Sequence, residues 1–177
     1  NDYKKTIIDN MPCKYQYILK MPVEIKDNEA EKYAITKLEM QRDNGLNDEF
    51  TVYGLNEDSQ YFDIDFSGLK DNEIYVSDGV LDKYRLKKGD TITLKEKYED
   101  KEYTYKIAGS YVYPSSLAVF MDIDRFRDDF DKQDTYYSGY FTDKELDIDE
   151  KYVATKLTQN DMTIVADQLT DSMGRMF

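Results

Sequence analysis

Asn72–Leu94 reads NEIYVSDGVLDKYRLKKGDTITL, and the rest of the chain is organised around it. Ile74, Tyr75 and Val76 are β-branched or aromatic and predict a short strand. Ser77 is placed to cap a helix of one to two turns carrying Val80, Leu81 and Tyr84 on one side. Lys87 and Lys88 complement the negative end of that helix, and Gly89 tolerates a left-handed backbone. Thr91-Ile92-Thr93-Leu94 then alternates as a new strand does. The predicted unit is strand, short helix, basic glycine turn, strand.

On either side of this stretch, composition sets the bounds. A chain of 177 residues is one domain by length, and about 70% of its unfolded surface can be buried without disulfides or metals. Thirty-seven acidic side chains against 24 basic ones give a net charge of −13. That charge repels phosphate backbones, so no nucleic acid is expected as a partner; it keeps the domain soluble and favours cationic partners. Cys13 is the single cysteine and there is no histidine. An internal disulfide is impossible, and the usual general base, triad centre and zinc ligand are missing, which weighs against most hydrolase and zinc readings. Asn1 opens no targeting signal, so the segment is expected to be cut from a longer chain. The longest uncharged run, 107–121, contains Ser110, Pro114, Ser115 and Ser116 and falls short of the ~20 apolar residues of a spanning helix.

Upstream, Tyr3, Ile7 and Ile8 fit the end of a helix. YQYILKMPVEI at 15–25 reads as a strand edged by Pro22, which cannot donate to a ladder. Asn28 with Glu31 makes a capping-box start, and Ala30, Tyr33, Ala34 and Leu38 form a stripe that predicts a helix over 28–43. Phe50–Gly54 follows as a strand, so 15–54 is expected to be strand, helix, strand. Residues 55–68 mix Tyr61, Phe62 and Phe66 with acids and are expected to loop into a second lobe.

Downstream, Thr91–Tyr98 and Tyr103–Ile107 alternate around Glu99-Asp100-Lys101-Glu102 as a hairpin does. Leu117–Met121 predicts a strand, and Asp122 or Asp124 can cap a short helix holding Phe126 and Phe130. Tyr136–Phe141 predicts a further strand, completing a second strand-helix-strand unit, and Tyr152–Thr155 a last short one. Thr158 with Asp161 forms a capping box ahead of Met162, Val165, Leu169, Met173 and Met176, which predict an amphipathic helix continuing past Phe177.

The order of these segments resembles the extracytoplasmic, MacB-like periplasmic core domain of FtsX-like ABC transporter permeases. The resemblance rests on the strand ending at Ser77, the helix ending in Tyr84-Arg85-Leu86, where the family has a Tyr-Gly-Leu-like triplet, and the Gly89-Asp90 pair opening a strand. Tyr105–Tyr111 and Leu117–Met121 resemble the next strands, with Phe126 in the helix after them. Ser138–Asp143 is similar to a segment of many Gram-positive members, as are Gln168-Leu169 and Ser172-Met173 in the final helix. The similarity is loose over 1–50 and persistent from about 50 to 177.

The resemblance implies a domain on the extracytoplasmic side of the cell membrane, inserted between two transmembrane helices of a permease. It implies a cytoplasmic ATP-binding subunit as partner through the transmembrane part, and a permease dimer. It implies transmission of conformational change rather than chemistry, with no catalytic, cofactor or metal residue, so no enzyme activity is expected. A cationic peptide or a lipoprotein is the cargo that this family and this charge suggest.

Other motifs are weaker. Asp-Ile-Asp recurs at 63–65, 122–124 and 147–149, yet a calcium loop from Asp63 would need Glu where Ile74 stands; alternation with isoleucine inward explains the triplets instead. With so many acids, a glycosidase-like carboxylate pair arises by chance. Tyr136, Tyr137 and Tyr140 suit strand packing more than a sugar surface. Lys87-Lys88 reads as a charged helix end, and Met162, Met173 and Met176 as a packing face. The expected fold is α+β. Residues 1–55 and 111–177 form one membrane-proximal, porter-like subdomain of two strand-helix-strand units, and 56–110 an inserted β-rich lobe. The competing reading is a self-contained secreted or cell-surface module that binds carbohydrate or peptide.

Overall fold

The computed structural model describes residues 13–26, 29–159 and 161. It is α+β and mostly β. In chain order it runs β1 Tyr15–Leu19, β2 Glu31–Gln41, β3 Asn47–Leu55, β4 Glu73–Ser77, α1 Asp78–Tyr84, β5 Thr91–Lys95, β6 Glu102–Tyr111, β7 Ala118–Asp122, α2 Ile123–Asp129, β8 Gly139–Thr142 and β9 Val153–Thr158. One turn of 3₁₀ helix at Glu150–Tyr152 precedes β9.

Six of the strands close on themselves. The pairing order runs β3-β7-β4-β6-β5-β2, and β2 returns to β3, so every strand in this ring has two neighbours. The β3–β7 and β4–β6 pairs are parallel and the others antiparallel. Period-2 alternation sends Phe50 and Val52 of β3, Ile74 and Val76 of β4, Ile92 and Leu94 of β5 and Val119 and Met121 of β7 into the barrel, all but sealed from solvent. Two short helices complete this core. Val80 of α1 is fully buried in it, with Leu81 and Tyr84 packed alongside. Phe126 of α2 lies so close over Gly54 that a Cβ there would come within 2.6 Å of the Phe126 Cβ, so β3 passes beneath the ring only because it carries glycine.

A second core lies on the outside of β3 and β7. Tyr53, Leu55 and Phe120 face outward and are covered by Phe62 and Ile64 from the irregular 56–72 stretch and by Phe141. Tyr53 stacks on Phe120 at 5.7 Å and Tyr33 on Phe141 at 3.9 Å. Their hydroxyls are satisfied: Tyr33 donates to the Tyr17 carbonyl at 2.9 Å, and the Tyr53 and Tyr113 hydroxyls share one hydrogen bond of 2.9 Å. In β6 the register against β4 slips at Ala108, so Tyr103, Tyr105 and Ile107 point inward while Tyr111 points into this outer core.

The remaining strands form a ribbon, β8-β1-β9, attached through β2. Residues 31–33 of β2 pair with β8, and Glu39 pairs with Lys95 of β5. Where β2 leaves one neighbour for the other, the Ser138 hydroxyl accepts from the Ile35 amide at 2.8 Å and donates to the Ile35 carbonyl at 3.4 Å. The side chain thus replaces a strand partner. Tyr15 pairs with Thr158 and the Gln159 amide donates to the Lys14 carbonyl at 3.2 Å, so the chain comes in and goes out at adjacent points.

The central unit forms as predicted, with two changes of role. Ser77 stands at the N-cap, but its hydroxyl accepts from the Ala118 amide at 2.9 Å rather than from its own helix. Arg85, not glycine, ends the helix in the left-handed region at φ 55, and Gly89 also has positive φ, 97. The hairpin, the strands at 50–54 and 117–121, and the α2 helix capped by Asp122 also form.

The helix over 28–43 does not form: 31–41 is the longest strand, β2. A spacing of four is compatible with both periods, and here Ala34, Leu38 and Met40 face the barrel while Tyr33 and Ile35 face the outer core. Glu31 accepts from the Ser59 hydroxyl and the Gln60 amide. The first expected strand-helix-strand unit is therefore β1-β2-β3. The second has its elements in order as β7-α2-β8, with β8 pairing to β1 and β2. The segment 56–110 supplies β4, α1, β5 and β6, which share the barrel core with β2, β3 and β7. The capping box at Thr158 is present and reciprocal: the Thr158 amide donates to Asp161 at 2.7 Å and the Asp161 amide to the Thr158 hydroxyl at 3.3 Å. Asn28, the helix expected beyond Asp161 and the one expected before residue 13 lie outside the described residues.

Candidate functional site

Two irregular straps cross the ribbon, 20–26 after β1 and 143–149 before β9, and two concavities lie against them. Their apolar side chains Val23, Ile25, Leu146 and Ile148 pack on a small third core of Tyr17, Leu19, Tyr137 and Tyr140. Each strap is pinned by a tyrosine hydroxyl. Tyr140 donates to the Val23 carbonyl at 2.7 Å, and Tyr17 accepts from the Leu146 amide at 2.9 Å. Tyr137 and Tyr140 thus prove to be packing residues, both buried, with phenol pKa values pushed up mainly by desolvation.

One cleft, of about 600 Å³, lies between the first strap, the 56–60 turn and Arg127. Its walls are charged, and apart from Glu57 and Asp58, which make no ion pair among the described residues, its charges have partners. Lys32 pairs with Glu24 at 2.8 Å and stands 4.7 Å over the Tyr137 ring. Lys144 pairs with Glu29 at 2.7 Å. Glu31 takes the Ser59 hydroxyl at 2.5 Å and the Gln60 amide at 2.7 Å. Arg127 donates to the Tyr136 carbonyl at 2.9 Å and to Asp124 at 3.0 Å.

The second cleft, of about 540 Å³, separates 23–26 from 145–149, and a third of about 400 Å³ continues it toward Tyr17 and Val153. Leu146 and Ile148 line both. Along Glu145–Asp149 exposure alternates, acids outward and apolar residues half-buried. Lys156 pairs with Glu145, and Lys151 reaches Asp149 at 3.7 Å. Asp147 and Glu150 make no ion pair among the described residues.

The discounted motifs are scattered. Asp65 closes a local turn onto Ser67, Asp122 caps α2, and 147–149 lies in the second strap. In all three triplets the isoleucine is the least exposed member, although none of the triplets lies within a strand. Among the described residues no three His, Cys, Asp or Glu side chains converge on a point that could hold a metal ion. Lys87 belongs to the Gly89 turn, its amide donating to Asp90 at 2.9 Å. Burial pushes the Cys13 thiol up to about 12, so it is protonated at neutral pH and unsuited to nucleophilic attack.

The straps and their clefts were not singled out from sequence. The available signal was ELDIDE at 145–150, an alternating run too short and too acidic to be a core strand. No family model and no curated protein matches this chain. Among the described residues, no helix is long and apolar enough to cross a membrane.

Proposed function

We propose that this chain is the extracytoplasmic domain of an FtsX-like ABC transporter permease, a non-catalytic body held outside the cell membrane that transmits conformational change. The observation that carries the reading is the pairing of Tyr15 with Thr158 and of Lys14 with Gln159. A domain inserted between two membrane-crossing segments must take in and return its chain at one place, and here both strands leave the ribbon side by side. The reciprocal capping box of Thr158 and Asp161 supports the reading, since it is the pattern with which a helix begins. In this reading the ribbon faces the membrane and the barrel is the outer part. Residues 1–55 with 111–177, the porter-like part, supply the ribbon and β2, β3 and β7 of the barrel, and the inserted 56–110 completes the barrel, so the two parts form one body around a shared core. A cytoplasmic ATP-binding subunit drives the motion through the transmembrane part of a permease dimer, and the acidic surface engages cargo such as a cationic peptide or a lipoprotein.

The test is the reading frame and the cell. Spans of ~20 apolar residues should flank residues 1 and 177 in the full gene, and a cysteine placed at Asp100 in intact cells should react with a membrane-impermeant maleimide. Hydrophilic flanks on both sides would overturn the proposal. They would favour the second reading, a self-contained surface module for peptide or carbohydrate, which the clefts beside the straps support.

A further inference from the structure

The geometry points to the groove formed by the second and third clefts as a binding site for an extended peptide segment in which basic and apolar side chains alternate. This gives the cargo of the preceding reading a chemistry, and it rests on the groove alone, so it holds for a permease domain and for a free-standing module alike.

The groove has an apolar floor and an acidic lip. Ile25, Leu146 and Ile148 are half-buried at its base, and Glu145, Asp147 and Asp149 stand out from every second position of its wall. Alternate residues of an extended chain lie ~6.6 Å apart. A ligand in the same conformation therefore presents cations to the lip at the period of the wall while the intervening side chains reach the floor. The lip has charge to spare. Lys156 answers Glu145 and Lys151 lies 3.7 Å from Asp149, whereas Asp147 and Glu150 have no cation within ion-pair distance among the described residues. The larger cleft lacks this combination: Glu24, Glu29 and Glu31 are each bound by a neighbour, and its other acids, Glu57 and Asp58, are consecutive in a turn rather than alternating with apolar residues. Phosphate-bearing ligands are repelled by the lip as they are by the chain's net charge of −13. A bare metal ion has no converging set of three ligands here among the described residues.

Fluorescence anisotropy with the full 177-residue chain tests this, using a labelled peptide of alternating lysine and leucine and a second of equal length and charge alternating lysine and serine. The leucine peptide should bind more tightly. Asp147→Lys should weaken its binding about tenfold. Asp43→Lys makes the same charge change on the exposed turn at the far end of β2 and should alter binding less than about twofold. Ile148→Ser should weaken the leucine peptide alone, with thermal unfolding followed in parallel; if that variant unfolds, the Asp147 and Asp43 pair decides. Equal binding of the two peptides, or equal losses in the two lysine variants, would mean that net charge alone draws the peptide and would overturn the proposal.

Discussion

In the barrel every strand has a neighbour on each side, and inward residues such as Phe50, Val52, Ile74, Val76 and Val119 have no exposed surface. In the ribbon β9 is paired on one side only among the described residues, its middle residues Ala154, Thr155 and Lys156 are exposed, and the core beneath it has four buried members. One region is a closed, dry body; the other is a thin sheet whose cover is two charged straps. Closed packing and concave surface are thus separated in space: the barrel supplies a fixed frame, and the three clefts described above lie where backbone is irregular and β9 is unpaired on one side among the described residues.

The sharpest way to break the comparison is at their junction. A Cβ at Gly139 would land on the Tyr17 carbonyl oxygen and press on the Tyr33 ring at 3.2 Å. Gly139→Val should cost more than about 4 kcal/mol and strip hydrogen-exchange protection from β1, β8 and β9 while β3 to β6 keep theirs; uniform loss would show that the two regions are one cooperative unit. Phe126→Ala attacks the barrel instead. With that ring fully buried, a loss of about 3–5 kcal/mol is expected, read as a lowered urea midpoint of the whole domain.

A third test concerns acid. Asp48 accepts from the Tyr84 hydroxyl and has Lys83 at 3.4 Å and Arg42 at 3.6 Å, and these, the hydroxyl foremost, hold its carboxyl below the usual carboxylate value. A depressed native pKa contributes stability that is present above the unfolded value and is lost as pH falls through the native one. Asp48→Asn should therefore cost about 1–3 kcal/mol at neutral pH. The difference from the unmutated chain should shrink below about pH 4, as urea unfolding across pH would record. The smallest effect belongs to Ser138→Ala, about 1 kcal/mol, with faster exchange of the Ile35 amide marking the place where β2 changes partners.

Much of the barrel was legible because its strands carry one period clearly and end at recognisable turns, as at Ser77, Gly89 and Asp122. β2 was not. EKYAITKLEMQ buries both faces, so its apolar spacing satisfies a helix as well as a strand, and only the partners β3 and β8 decide between them. For the same reason Ser138 could not be read: its role is created by Ile35, 103 residues away in sequence. Ser77 was placed correctly at the start of α1, yet its hydroxyl goes to Ala118 across the antiparallel β4–β7 pair, a contact local pattern cannot foresee. The clefts depend on two straps meeting over β1, and neither strap has a regular period of its own except the brief alternation at 145–150.

The side-by-side departure of β1 and β9 has a mechanical consequence. Because Lys14 and Gln159 are joined by a backbone hydrogen bond, the two chain segments lie there about one strand spacing apart, ~4.8 Å. A lateral pull on the two leads would act as a zipper, opening pairs one at a time from Tyr15 and Thr158, whereas sliding one lead along the other would load the β1–β9 ladder in shear, against several bonds together. The direction of a load applied between residues 14 and 159 therefore decides whether the β1–β9 pair opens bond by bond or resists as a ladder.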